Sequence, residues 1–195
     1  MQAHGKRFTG EDWYGRDLGD AELVECTFVD CDLTEVATRG ASFDRCDFRG
    51  VRLNASVHES SGFTGCRFTR TSLFAATMRG CKLVGSTFAG SKLRPMTVEG
   101  GNWSYVSMRG ADLSGLDLTG VRLAEADLAE ANLTKTVLRG ADLTRAVLRN
   151  VVLDQTQLVG ADLTGVALAG LAWKATQVDP AQAVLIAEAQ GVVVV

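Results

Sequence analysis

The chain holds only two prolines and two histidines in 195 residues. So few histidines leave little material for an imidazole metal centre or for a base that titrates near neutral pH. No nucleophile elbow, phosphate-binding loop, HExxH motif or zinc-type spacing occurs, so no catalytic, cofactor-binding or metal-binding residues are expected. Aromatic residues make up 7%, and no apolar run approaches the roughly 18 residues that a membrane span requires. The start, MQAHGKRF, lacks the apolar core of a secretion signal; a cytoplasmic location without a membrane partner is expected. Proline- or serine-rich linkers are missing as well, which points to one domain rather than several.

What the chain does have is a period of five. From Phe8 to Val178 every fifth residue is the centre of a unit, and 33 of these 35 centres are Phe, Leu, Met, Val or Trp. Only Thr38 and His58 depart, and no insertion shifts the phase. Five matches neither the 3.6 of a helix nor the 2.0 of an ordinary strand. Two residues before each centre a small residue recurs, as in ADLSG (111–115), ADLAE (126–130) and ADLTG (161–165). A large and a small apolar residue two apart describe a short strand that faces inward at both places. Glycine clusters two residues after the centre, where a residue tolerant of φ > 0 can turn a corner. Each unit is therefore read as a side plus a corner.

Two spacings indicate how many sides close a coil. Phe8, Phe28, Phe48, Phe68 and Phe88 lie twenty apart, and so do the weakest centres, Thr38, His58, Met78 and Val98. Four units per coil stack both sets; three would scatter them. On these units the chain resembles the pentapeptide repeat proteins, whose fold is an all-β, right-handed quadrilateral β-helix. The resemblance implies a lead-in over 1–5 and a solenoid of almost nine coils over 6–178. At a strand spacing of about 4.8 Å the rod would be about 42 Å long. Pro95, with the oversized Met96 at a small site, predicts a local kink between residues 94 and 106.

At the C-terminal end Asp179 can cap a helix, Pro180 suits its first turn, and Ala181–Gln190 are good helix formers before Gly191. Residues 179–195 are expected to form a capping helix and tail, with Ala183, Val184, Ile186 and Ala187 as its apolar face. Trp173, Val184, Leu185, Ile186, Val192 and Val194 are the expected dimer contacts, because so apolar an end calls for a partner. At the other end Trp13 and Tyr14 are candidates for closing the first coil.

The remaining residues narrow the function. The five cysteines, Cys26, Cys31, Cys46, Cys66 and Cys81, all occupy the small inward position and read as buried hydrophobes of a reducing compartment. Net charge is −3, with 12 acids against 7 bases over 1–60, 1 against 6 over 61–100 and 10 against 7 over 101–195. An acidic chain with inward aromatics does not suit direct nucleic-acid binding. The segments KLRPMTV (92–98), TVLRGADLTRA (136–146) and VDPAQAV (178–184) resemble the MfpA-type, Qnr-related fluoroquinolone-resistance branch. That resemblance implies a homodimeric rod that binds DNA gyrase as a mimic of duplex DNA. Asp112, Asp117, Asp127, Glu130, Asp142 and Asp162 are then the expected gyrase contacts. An immunity protein against a self-made gyrase poison, and a scaffold for another partner, stay open beside it.

Overall fold

Twenty residues make one coil. In the computed structural model, which describes residues 1–195, Phe8 lies against Phe28, Leu23 against Phe43 and Thr38 against His58, always in parallel. Successive five-residue units fall on successive walls of a four-sided solenoid. The first wall carries Phe8, Phe28, Phe48, Phe68 and Phe88, on strands Arg7–Thr9, Thr27–Val29, Asp47–Arg49, Arg67–Thr69 and Thr87–Ala89. The second runs from Trp13 through Leu33 and Leu53 and pairs by single bridges alone. The third carries Thr38, His58, Met78 and Val98, and the fourth Leu23, Phe43 and Phe63. Gln2–His4 already pairs with Glu22–Val24, so the fourth wall begins inside the expected lead-in. Single bridges continue the register to Gln157↔Gln177, for almost nine coils in all.

The core is a set of stacked rows. Ring centroids along Phe8, Phe28, Phe48, Phe68 and Phe88 are 5.0, 4.8, 4.8 and 4.6 Å apart. Stacked rings at that separation add about 0.5–1.5 kcal/mol beyond their burial. Trp13 is buried edge-on against Phe8 and Phe28 and closes this row at the N-terminal end, whereas Tyr14 points outward. Between the rows sit the small residues, including all five cysteines, which are buried as free thiols.

From Gly5 to Ala175 the corners, Asp20 and Pro95 excepted, adopt φ between 48° and 76° whichever residue stands there. Glu25, Arg45, Tyr105 and Glu130 occupy this region alongside the glycines. Wall geometry, not glycine, sets the conformation. Gly101 is different: it stands at a small inward site with φ 113°, and a Cβ there would come within 2.4 Å of the Cys81 carbonyl. The same missing side chain makes room for the indole of Trp103.

The ladder opens twice. On the second and third walls the bridges from Lys92 to Asp112 and from Thr97 to Asp117 are missing, although Lys82↔Asn102 and Thr87↔Ser107 hold the other two walls. Met96 and Leu116, both oversized for the small row, stack at this point, and the Arg94–Pro95 peptide is cis. The break thus lies between residues 92–98 and 112–118 and overlaps the segment 94–106 where a kink was expected, although Asn102 within it pairs on both sides. On the first and second walls Val147 and Val152 likewise lose Ala167 and Ala172, where Val151 and Leu171 stack in the small row.

Helix α1, Pro180–Ala189, caps the last coil. Asp179 and Gln182 form a reciprocal capping box. The face turned to the solenoid is Gln182, Ile186 and Ala189, not the expected set with Ala183 and Val184. Gln182 is the buried one because its Nε2 donates to the carbonyls of Leu158 and Ala161, 2.8 Å each. A coil end exposes backbone carbonyls, and an amide side chain satisfies them where an alkyl group would strand them.

Candidate interaction surfaces

The outer walls are built largely by the residue just before each centre. Aspartate recurs there because its Oδ1 accepts the backbone N–H two residues on, in Asp112 (3.1 Å), Asp117 (2.9 Å), Asp127 (3.0 Å), Asp142 (3.0 Å) and Asp162 (2.9 Å). These are Asx turns, which clamp the corner that follows. Hydrogen bonds from Thr164 hold the Asp162 carboxyl below its ordinary range. Burial pushes Asp112 up, but hydrogen bonds from Ser114 and Arg94 outweigh it and leave that carboxyl low.

The six acids proposed as gyrase contacts do not share a surface. Asp112 stands on the second wall, Asp117 on the third, Asp127 and the corner residue Glu130 on the first, and Asp142 and Asp162 on the fourth. Only Asp142 and Asp162 are direct neighbours, one coil apart. Three of the six are met by arginines: Asp112 by Arg94 (2.8 Å), Glu130 by Arg109 (2.6 Å) and, more loosely, Asp142 by Arg122 (3.7 Å). Asp117, Asp127 and Asp162 have no such partner.

Charge elsewhere is also paired along the rod axis. Arg39, Glu59, Arg79 and Glu99 alternate up the third wall at 3.0, 3.5 and 3.0 Å. Asp32 is held at about 2 by hydrogen bonds, first from Arg52 and then from Thr34. Exposed pairs of this kind contribute little each, about 0–1 kcal/mol. Their main effect is to cancel the field that a wall of acids would project.

Inside the third wall lies one polar cluster. His58 Nδ1 is 2.8 Å from Thr38 Oγ1 and Nε2 is 3.0 Å from Ser56 Oγ; Thr38 also meets Ser61 at 2.9 Å. Because the Ser56 hydroxyl donates to the Leu53 carbonyl, it accepts from Nε2–H, and Nδ1 accepts from Thr38. Burial lowers the His58 pKa to about 4, so the ring is neutral at pH 7. This cluster faces inward and offers nothing to a ligand. No three His, Cys, Asp or Glu side chains converge as a metal would need.

The repeat pattern matches the family described as Pentapeptide repeats, in 8 copies over residues 17–50, 98–128 and 126–165. The chain belongs to the pentapeptide repeat family. A 66-residue stretch is 41% identical to the pentapeptide repeat protein MfpA of Mycobacterium tuberculosis; it covers 34% of this chain and 36% of that protein. The aligned stretch thus spans about a third of that relative's length. Two structures of QnrB1, described as a plasmid-mediated fluoroquinolone resistance protein, superpose with TM-scores of 0.84 and 0.74. Each is 20% identical, and the overlaps cover 100% of this chain and 98% and 100% of theirs. At that identity the likeness is one of fold.

In this pentapeptide repeat protein the apolar surface gathers at the C-terminal end. Of the expected dimer contacts, Trp173 and Ile186 are half-buried against the protein's own core. Val184 (39% exposed), Leu185 (49%), Val192 (55%) and Val194 (45%) stand free. No helix is long and apolar enough to cross a membrane.

Proposed function

We propose that this protein binds DNA gyrase as a rod-shaped decoy for duplex DNA, dimeric through its C-terminal ends, and so modulates the enzyme and protects it from fluoroquinolones. The observation that carries this reading is the loop-free four-sided rod itself. Its interior is filled by stacked side chains, so whatever it does it does with its outer walls. The MfpA-like stretch and the QnrB1-like fold support the same branch.

Shape contributes more to the mimicry than charge density does. Duplex DNA carries about one negative charge per 1.7 Å, or about 25 along a rod of about 42 Å. This chain has a net charge of −3, and its ion-paired walls spread that further. Contact acids must therefore act locally, and the best placed are those without an arginine: Asp117, Asp127 and Asp162. Each is on a different wall, so the wall that meets gyrase can be told apart.

Supercoiling by purified gyrase, titrated with the protein with and without a fluoroquinolone, tests the proposal. Inhibition or drug protection at micromolar levels or below is expected. No effect on gyrase of the host species would favour a scaffold with another partner. Charge reversal wall by wall (Asp117→Lys, Asp127→Lys, or Asp142→Lys with Asp162→Lys) should weaken the effect about tenfold on the docking wall and leave the others unchanged. If all three sets retain full effect, the acidic contacts are wrong.

A further inference from the structure

The second opening of the ladder leaves an unused strand edge. The N–H groups of Leu148, Asn150 and Leu153 and the carbonyls of Ala146 and Val151 have no backbone partner in the next coil. In the coil below, the equivalent groups are all paired, as in Leu128 N–H to Val147 O and Glu130 N–H to Arg149 O. The gap is a groove of about 380 Å³ between Arg145–Asn150 on one side and Gly165–Leu171 on the other. Its lining is largely apolar, from Ala146, Val147, Leu148, Ala167, Ala169 and Leu171. Arg145 and Arg149 flank it, and neither meets a carboxylate within 4.0 Å, in contrast to Arg94, Arg109 and Arg122.

The chain also carries one apolar segment suited to part of this edge. Val192–Val195 is a run of four β-branched residues, exposed throughout, with Val193 at 82%. Valine strongly favours extended pairing, and alternate side chains would enter the apolar lining. Four residues span about 13 Å when extended, enough to follow one side and a corner of the coil. Within a single chain the tail is held elsewhere. Val192 N–H donates to Ala187 O at the end of α1, and none of Val192–Val195 lines the groove.

We propose that the groove receives the Val192–Val195 tail of a second copy, which adds as an extended strand to the open edge at Ala146–Leu153. The exchange is reciprocal, since each chain has one groove and one tail, as an isologous pair requires. It also disposes of two exposures, an unpaired sheet edge and a valine tail, that favour aggregation when left open. This inference rests on the homodimer reading above and specifies which residues make the dimer.

Mixed disulfide trapping tests it. One chain carries Val147→Cys and a differently tagged chain carries Val194→Cys; the five native thiols are buried and do not compete. Oxidation of the mixture should link the two tags, and a second preparation with both substitutions in one chain should give linked dimers rather than closed monomers. Cross-links confined to single chains would overturn the exchange. Removal of Val192–Val195 should weaken self-association about a hundredfold by sedimentation while thermal unfolding of the solenoid persists. A truncated chain that associates as tightly as the intact one overturns the tail's role and leaves the homodimer standing. An intact chain that stays monomeric at about 100 μM, near the millimolar-to-micromolar limit of weak association, overturns both.

Discussion

His58 and Thr38 stand one above the other where almost every other centre is apolar, and they are tolerable there because each satisfies the other. That pairing was half legible. An inward histidine beside Ser56 suggests a hydrogen bond, but Thr38 becomes its partner only once coils of twenty residues bring the two together. The buried neutral ring makes stability depend on pH. Its folded pKa is about 4, depressed by burial from 6.5. As pH falls through 6.5 the unfolded chain takes up a proton that the folded chain refuses, so stability is full above 6.5 and declines down to 4. The total loss is about 3 kcal/mol, from about 1.4 kcal/mol per unit. Urea unfolding at pH 7.5 and at 4.5 should show this decline, and His58→Met, which matches Met78 above it, should flatten it. Equal pH slopes for the two proteins would mean that His58 titrates normally.

At the scale of the five-residue unit, the side was readable and the corner only in part. Glycine marked many corners, but the φ > 0 conformation extends to Glu25, Arg45 and Glu130, where sequence preference alone gives no hint. The helix shows a similar limit: its type and its cap at Asp179 follow from Asp-Pro-Ala-Gln, whereas the buried Gln182 escapes any search for an apolar stripe. The openings of the ladder have a cause that becomes visible only when rows are stacked. Met96 over Leu116 and Leu171 beside Val151 overfill a row that from Ala21 onward otherwise holds Ala, Ser, Thr, Cys, Val or Gly101. Overfilled interiors push backbones apart. The amides of Leu93, Val98 and Gly100, left without ladder bonds, should therefore exchange with solvent far faster than those of Leu73, Thr77 and Gly80, which have them. Hydrogen exchange resolved by residue will decide; comparable protection in both sets would show that the ladder is closed in solution. Met96→Ala with Leu116→Thr should raise protection at Val98 and Gly100.

Across the whole molecule, the acidic residues illustrate why a surface is harder to read than a core. Asp recurs at one place in the unit, but successive units turn onto successive walls, so residues five apart never share a wall. Only a spacing of twenty, as between Asp142 and Asp162, gives neighbours. A row of acids in sequence thus becomes a spiral around the rod. The same quasi-one-dimensional build governs stability, because each coil contacts only the coils next to it. Phe48 is completely buried between Phe28 and Phe68, and loss of such a ring alone costs about 3–5 kcal/mol before the burial of a charge is added. Phe48→Arg should therefore unravel the N-terminal coils. The opening at Lys92–Val98, where two of four walls are already unpaired, is where that damage should stop. Limited proteolysis should then cut before about residue 100, while the C-terminal coils, α1 and self-association survive. Leu138→Arg, equally buried in the other half, should do the reverse and abolish both self-association and any effect on gyrase. If either substitution melts the entire chain in one step, the two halves are coupled through the remaining walls. The rod would then have to be treated as a single cooperative unit.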